Sequence, residues 1–241
     1  GTAVTQVEIK APVGMVSVNK TSNYEETGKT VTSVEQGIVT DKIEIFDEEK
    51  IATMDIIVMN NNENTCNDIK ILGRIPFKGN KDFETGKDLG TTIDTTLFGT
   101  ISQNANNKVN ANIYYSENEE ATADLTDERN KWTTNANNID AKSYLIVPND
   151  YEMQAGEVLQ YTYEYTIPAN LEHNNSVFSS FETIYNNEND LMEKQEISTA
   201  DAIGLTTGIG TQLSVETTTN IKEQSIKEYE KVKYIVKVEN T

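Results

Sequence analysis

The stretch that decides the fold is Lys50–Asn60, which reads KIATMDIIVMN. Apolar residues occupy every second position from Ala52 to Val58, and the run ends at Asn60. Alternation with a period of two is typical of a β-strand that has one face in a core and the other in water. The stretch therefore predicts a half-buried strand.

The same alternation recurs further along the chain, whereas helical periodicity is weak. The best helical candidates, residues 121–132 and 221–230, are both short. Many short strands separated by Asn and Gly turns predict an all-β fold, an antiparallel immunoglobulin-like β-sandwich. The residues predicted to be buried are Met54, Ile56, Val58, Ile69, Ile71, Tyr161, Tyr163 and Tyr165.

Composition and charge exclude several classes of function. The chain has 241 residues, 36% of them hydrophobic, which suffices for a packed core. Its formal net charge of -19 argues against binding to nucleic acid or to anionic membranes, which need clustered Lys and Arg. We find no apolar run near the ~18 residues that span a bilayer and no signal peptide, and we expect a mature soluble fragment.

Cysteine and histidine usage restricts the chemistry further. Cys66 and His173 are the only residues of their types, so the chain cannot form an internal disulfide or a two-histidine metal site. Cys66 follows a polar, acidic stretch and is expected in a turn, and His173 is expected in a surface loop. We therefore predict no catalytic residues and no enzyme activity.

The sequence contains an internal repeat. Residues 230–240, EKVKYIVKVEN, align on Lys50–Asn60 with their apolar positions and terminal Asn superposed, and a charged lead-in precedes both. Residues 206–210, TTGIG, form an uncharged break typical of a linker. We predict a β-sandwich module at residues 1–203, in which 1–38 are a candidate end of a preceding module. Residues 204–241 are predicted as a linker and the first strands of a following repeat.

The last strand needs a partner, because an isolated strand has unpaired edges. The candidate partners are residues 3–10, residues 15–19, the edge of the main sheet and another molecule. A competing interpretation is that this strand closes the main sandwich.

Three segments together resemble a known family. They are the strand at residues 54–60, the segment DIKILGRIP at 68–76, and AGEVLQYTY at 155–163. This combination is similar to the "domain of unknown function 11" family, β-sandwich repeats of large bacterial and archaeal surface proteins. The resemblance implies a repeat of a large Gram-positive cell-surface protein without catalytic residues. Residues 77–151 are longer than the loop region usual in that family, so additional strands are expected there.

Acidic loops are the candidates for a metal site. Calcium takes six to eight hard oxygen ligands, and the densest group of carboxylates is Asp124, Asp127 and Glu128. The same residues also suit the first turn of a short helix, whose dipole favours negative charge. They are weak candidates for calcium, and we expect no other cofactor.

Aromatic residues offer a second candidate site. Tyr161, Tyr163 and Tyr165 alternate along one strand and could stack on sugars, but such a stripe equally fills a sandwich core. Trp132 lies among Asn and Thr residues, where an exposed indole would suit a carbohydrate. It is the single weak carbohydrate candidate.

The function that fits these features is a non-catalytic structural or adhesive repeat of a cell-surface protein, acting as a spacer or display domain. The alternatives are a carbohydrate-binding module with exposed aromatics and a calcium-stabilised adhesin domain. The expected location is extracellular, attached to the cell wall or cell surface. The expected partners are neighbouring repeats of the same chain and a host or glycan ligand. We expect a monomer that contacts neither nucleic acid nor membrane.

Overall fold

The computed structural model describes the backbone of residues 14–21, 33–35, 38–43, 50–171, 175–187, 195–207, 213–219 and 234–240. Side chains are described for residues 14–20, 51–171, 175–187 and 195–205. Within these ranges the chain forms fifteen β-strands and one 3-10 helix, and it contains no α-helix. The strands are β1 Met15–Thr21, β2 Ser33–Glu35, β3 Ile38–Ile43, β4 Lys50–Asn60, β5 Cys66–Arg74, β6 Thr96–Gln103, β7 Ala111–Ser116, β8 Ser143–Pro148, β9 Val158–Ile167, β10 Ser176–Ser179, β11 Phe181–Asn187, β12 Gln195–Thr199, β13 Ile203–Thr207, β14 Leu213–Thr219 and β15 Tyr234–Asn240, and the 3-10 helix η1 is Glu128–Asn130.

The predicted strand β4 lies at the centre of a four-stranded antiparallel sheet with the order β1-β4-β9-β6. Its pairing with β9 places Met54 opposite Tyr163 and Ile56 opposite Tyr161. All four of these side chains are fully buried. The alternation seen in the sequence of each strand therefore produces a single shared apolar face.

A second antiparallel sheet, with the order β12-β11-β5-β8-β7, packs against that face. The ring centroids of Tyr144 on β8 and Tyr163 on β9 are 5.5 Å apart, and one hydrophobic cluster contains residues of both sheets. All eight residues predicted to be buried are at most 3% exposed, which confirms the assigned faces. The chain is thus an all-β sandwich of the immunoglobulin-like type, as the sequence predicted.

A third sheet, with the order β10-β13-β3-β2, contains the exception to antiparallel pairing, because β13 and β3 run parallel. The predicted module boundary after Ile203 falls inside β13, and the division into modules stays a prediction. Leu205 is fully buried in the main core, and the chain divides into two units after Thr207. Threonines that resembled a linker in the sequence instead continue a strand, which suits their β-branched side chains.

The second unit, residues 208–241, contains the antiparallel hairpin of β14 and β15. The last strand therefore pairs with β14, which was not among its predicted partners. The predicted helix at residues 221–230 lies outside the described residues. The assignment of this unit to a following repeat stays a prediction.

Residues 77–151 contribute three strands, of which β6 joins the first sheet and β7 and β8 join the second. The helical candidate at residues 121–132 is wrong, because only η1 forms there. In the described part of the chain we find no helix long and apolar enough to cross a membrane.

Gly73 is required by a neighbouring aromatic ring. It lies opposite Tyr144 in the β5–β8 pair, and a Cβ atom added to Gly73 would lie 2.1 Å from the tyrosine Cζ. The ring of Tyr144 therefore covers the glycine backbone. This contact explains a glycine inside a strand, where glycine is otherwise unfavourable.

The two faces of β4 predict different responses to truncation. Ile56→Ala removes a fully buried side chain and should lower the free energy of unfolding by about 2–5 kcal/mol. Ile57→Ala is the matched control, because Ile57 lies half-buried on the opposite face and should cost much less. Denaturant unfolding of both variants measures the difference. Equal losses would contradict the face assignment.

The Gly73–Tyr144 contact predicts a coupled pair of mutations. Gly73→Ala should lower the free energy of unfolding by about 2–3 kcal/mol, because the new methyl group overlaps the ring. In a Tyr144→Leu background the same substitution should cost far less, since the ring is gone. A double-mutant cycle measures this coupling. Strictly additive losses would show that the ring does not restrict residue 73.

Candidate functional site

The three calcium candidates lie in the loop between β7 and β8, where two of them bind donors of their own loop. Asp124 Oδ1 accepts hydrogen bonds from the Thr126 backbone N–H at 2.8 Å and from its Oγ1 at 2.7 Å. Asp127 caps η1 by accepting from the Arg129 backbone N–H, and it forms an ion pair with the Arg129 guanidinium at 2.6 Å. Glu128 is exposed.

These carboxylates do not converge on a common point. Among the described residues, no group of three or more His, Cys, Asp or Glu side chains is placed to hold a metal ion. Calcium binding thus stays a prediction without supporting geometry. The alternative weighed from the sequence, carboxylates in the first turn of a short helix, matches the capping role of Asp127.

Asn130 organises this loop, although sequence reasoning missed it. Its side chain is 1% exposed, donates to the carbonyl oxygens of Thr122 and Asp124, and accepts from the Thr122 N–H. The Trp132 indole N–H also donates to the Thr122 carbonyl, at 3.2 Å, and Trp132 is half-buried. The sugar-stacking role predicted for Trp132 stays untested, but its indole N–H is already hydrogen-bonded within the loop.

The tyrosine stripe lies in the core. Tyr161, Tyr163 and Tyr165 are fully buried, and the ring centroids of Tyr163 and Tyr165 are 6.2 Å apart. Burial raises the pKa of Tyr163, as it does for Tyr144. These rings fill the sandwich and offer no platform to a sugar.

Cys66 is buried, which corrects its predicted place in a turn. It begins β5, is fully buried, and its Sγ accepts a hydrogen bond from Asn62 Nδ2 at 3.2 Å. The neighbouring Asn60 side chain donates to the carbonyls of Asn64 and Met153 and accepts from the Asn62 N–H. The asparagine that ends β4 therefore fixes the turn into β5. His173 lies outside the described residues.

A cavity of about 690 Å³ lies beside the start of β5 and the end of β8. Its polar lining consists of three carboxylates and three amides, from Asp68, Asp150, Glu152, Asn67, Asn112 and Asn149. The three carboxylates are exposed, and none of the buried, unpaired polar atoms of the described residues belongs to the lining. The cavity therefore shows no feature that selects a ligand.

Side chains of β1, in the first sheet, form hydrogen bonds with β11 and β12 of the second sheet. Ser17 Oγ lies 2.8 Å from Thr183 Oγ1 and donates to the Ser198 carbonyl at 3.1 Å. Asn19 Nδ2 donates to the Asp201 carbonyl at 3.3 Å. Since Ser17 lies beside Ser198 and Asn19 beside Asp201, β1 runs in the same direction as residues 198–201, which form the end of β12 and its continuation towards β13.

The common direction places the start of β1 and the end of β13 at opposite ends of the first unit. The Met15 N–H donates to the Tyr185 hydroxyl at one end, and Thr206 pairs with Ser176 at the other. Nine steps along the chain, from Ser176 in β10 to Tyr185 in β11, separate these levels, which at ~3.3 Å per residue is at most about 30 Å. Sequence reasoning missed this arrangement, because it depends on pairings between distant segments.

Comparison with known proteins gives a likeness of fold alone. No family model matches the chain, and no curated protein matches it. Among solved structures it is similar to a variant of BcpA, the major pilin subunit of Bacillus cereus, with 8% identity, a TM-score of 0.42, and coverage of 94% of this chain and 53% of the pilin.

Two further pilins give similar values. The full-length major pilin SpaD of Corynebacterium diphtheriae is 7% identical, with a TM-score of 0.36 and coverage of 84% of this chain and 36% of the pilin. The 35 kDa C-terminal fragment of the major pilin GBS80 of Streptococcus agalactiae is 10% identical, with a TM-score of 0.38 and coverage of 85% and 58%. The chain thus spans between about a third and three fifths of these proteins. TM-scores below 0.5 transfer no property to it.

The contact between Asp127 and Arg129 predicts a local pH response. Hydrogen bonds from Arg129 lower the pKa of Asp127 from 3.8 to about 2. The charged form is favoured in the folded chain, so the contact contributes fully above the ordinary pKa and is lost as the pH falls through about 2. Carboxyl-carbon NMR should show Asp127 titrating near pH 2.

Two variants separate this contact from general charge effects. Arg129→Gln should raise the pKa of Asp127 towards its ordinary value, because the donor guanidinium is removed. Lys131→Gln removes a nearby positive charge that makes no such contact, and should leave the titration nearly unchanged. The same shift in both variants would contradict a specific role of Arg129.

Proposed function

We propose that the chain is a non-catalytic structural module of a cell-surface protein that acts as a spacer or display domain. The observation that carries this proposal is the position of Met15 in β1 and Thr206 in β13 at opposite ends of the sandwich, at most about 30 Å apart at ~3.3 Å per residue. A module with this geometry adds length to a polypeptide. A module whose ends lie side by side does not.

The side chains that could carry chemistry support a non-catalytic role. Cys66 is buried and hydrogen-bonded within its turn, and the tyrosines are packed in the core. Asp124 and Asp127 bind donors of their own loop. In the part of the chain described here, these groups have structural partners that explain their presence.

The finer parts of the proposal rest on the sequence. They are membership of the "domain of unknown function 11" type, a Gram-positive source, and attachment to the outside of the cell. The neighbours proposed for this module are further repeats of the same polypeptide.

An internal deletion in the parent protein tests the spacer role. Cells that produce the protein would carry a deletion of residues 14–207, with an epitope tag on the distal side. If the module is a spacer, deletion should bring the tag closer to the surface and reduce antibody access on intact cells. Total protein, measured after lysis, should stay the same.

The matched control replaces residues 14–207 with an unrelated β-sandwich of similar end-to-end length. This replacement should restore antibody access, because a spacer contributes length and not a specific surface. Failure to restore access, with the replacement folded and exported, would contradict the spacer function and favour a ligand-binding face. Absence of the tag from the exterior of cells that produce the undeleted, tagged protein would contradict the proposed location.

A further inference from the structure

The hairpin of the second unit repeats the register of the first two paired strands of the first unit. In the first unit Met15 lies opposite Asn60, and the pairing continues to Thr21 opposite Met54. In the second unit Leu213 lies opposite Asn240, and the pairing continues to Thr219 opposite Tyr234. Both ladders contain seven residue pairs and end at the same Asn position.

This agreement is independent of the sequence alignment. Residues 230–240 align on Lys50–Asn60 by sequence, and that alignment says nothing about which segment pairs with β15 or in which register. The structure nevertheless places β14 on β15 as β1 lies on β4, without any shift. The hairpin therefore has the backbone arrangement of the β1–β4 pair.

The two units differ at the edge of the repeated strand that lies opposite β1 in the first unit and opposite β14 in the second. In the first unit that edge of β4 holds β9, in antiparallel pairing from Lys50 to Met59. In the second unit the described sheet consists of β14 and β15 alone. A two-stranded hairpin is marginally stable in water, and an open edge is a template for a further strand.

The sequence of β15 specifies the chemistry of that strand. Tyr234, Val236 and Val238 hold the positions that Met54, Ile56 and Val58 hold in β4. In β4 these positions face Tyr163, Tyr161 and Leu159 of β9. A matching strand would carry aromatic or aliphatic residues at alternate positions and polar residues between them, as β9 does.

We propose that the outer edge of β15 is a strand-acceptor site that binds, antiparallel and in the β4–β9 register, a strand of the β9 type from a further copy of this repeat. The inference rests on the proposed function, because it names the contact that builds a neighbouring repeat. It can nevertheless fail while the spacer role of the first unit stands. The deletion experiment above does not depend on residues 208–241.

The test uses the full chain and a synthetic peptide with the sequence of residues 156–168, which contains β9. Hydrogen exchange of residues 234–240 is followed with and without the peptide. Bound peptide should slow exchange in β15 by about tenfold or more, because its edge amides gain partners. A scrambled peptide of the same composition should have no effect.

Two lysine variants test the assigned face. Val236→Lys places a charge at the position aligned with Ile56 and should abolish the effect of the peptide. Ile235→Lys, at the position aligned with the outward-facing Asp55, should preserve it. If Val236→Lys also increases exchange in β14, then Val236→Thr replaces it, since threonine maintains strand propensity without adding charge.

Several results would overturn the proposal. They are unchanged hydrogen exchange of residues 234–240 at saturating peptide, equal protection by the scrambled peptide, and equal loss of the peptide's protection in the two lysine variants. Protection that rises with protein concentration in the absence of peptide would also overturn it, because the edge would then pair with a second intact chain instead of a β9-type strand.

Discussion

The pairing of β4 with β9 is the constraint on which the rest of the first unit depends. The ladder runs from Lys50 opposite Ile167 to Met59 opposite Val158, and it aligns the buried positions of both strands on one face. A slip of one residue would turn Thr162 and Glu164 into the core. The first sheet is completed by β1 and β6 on either side of this pair, and the second sheet packs on the face that it creates.

Tyrosine rings fill much of that face, and a tyrosine hydroxyl usually has a hydrogen-bond partner when it is buried. The hydroxyl of Tyr163 has one, Ser179 Oγ at 2.5 Å, whereas those of Tyr144 and Tyr161 have no partner among the described residues. Burial raises the pKa of all three rings. Gly73 completes the arrangement, because only a residue without a side chain leaves room for Tyr144.

The alternation of single strands could be predicted from the sequence, because it depends on neighbouring residues. The strands β4, β5 and β9 and their buried faces were predicted in this way. Sheet order could not be predicted, since β4 and β9 are separated in the sequence by residues 61–157. The geometry of the candidate calcium site could not be predicted either. The carboxylates of Asp124 and Asp127 are visible in the sequence, but whether they converge depends on the loop that Asn130 organises. The threonines after Ile203 could not be assigned from the sequence, because threonine occurs in linkers and strands alike.

The opposed positions of Met15 and Thr206 in the first unit have a mechanical consequence. Tension along the polypeptide would pull β1 along β4 at one end and β13 along β10 at the other. Hydrogen bonds between antiparallel strands lie perpendicular to the strands, so such a pull loads every bond of a ladder together, in shear, and does not peel them apart singly. Forced unfolding is governed by the unfolding rate and not by the equilibrium free energy. The resistance of this sandwich to stretching therefore depends on the length of the ladders that hold these strands. They comprise seven residue pairs for β1 on β4 and, for β13, four on β10 and five on β3.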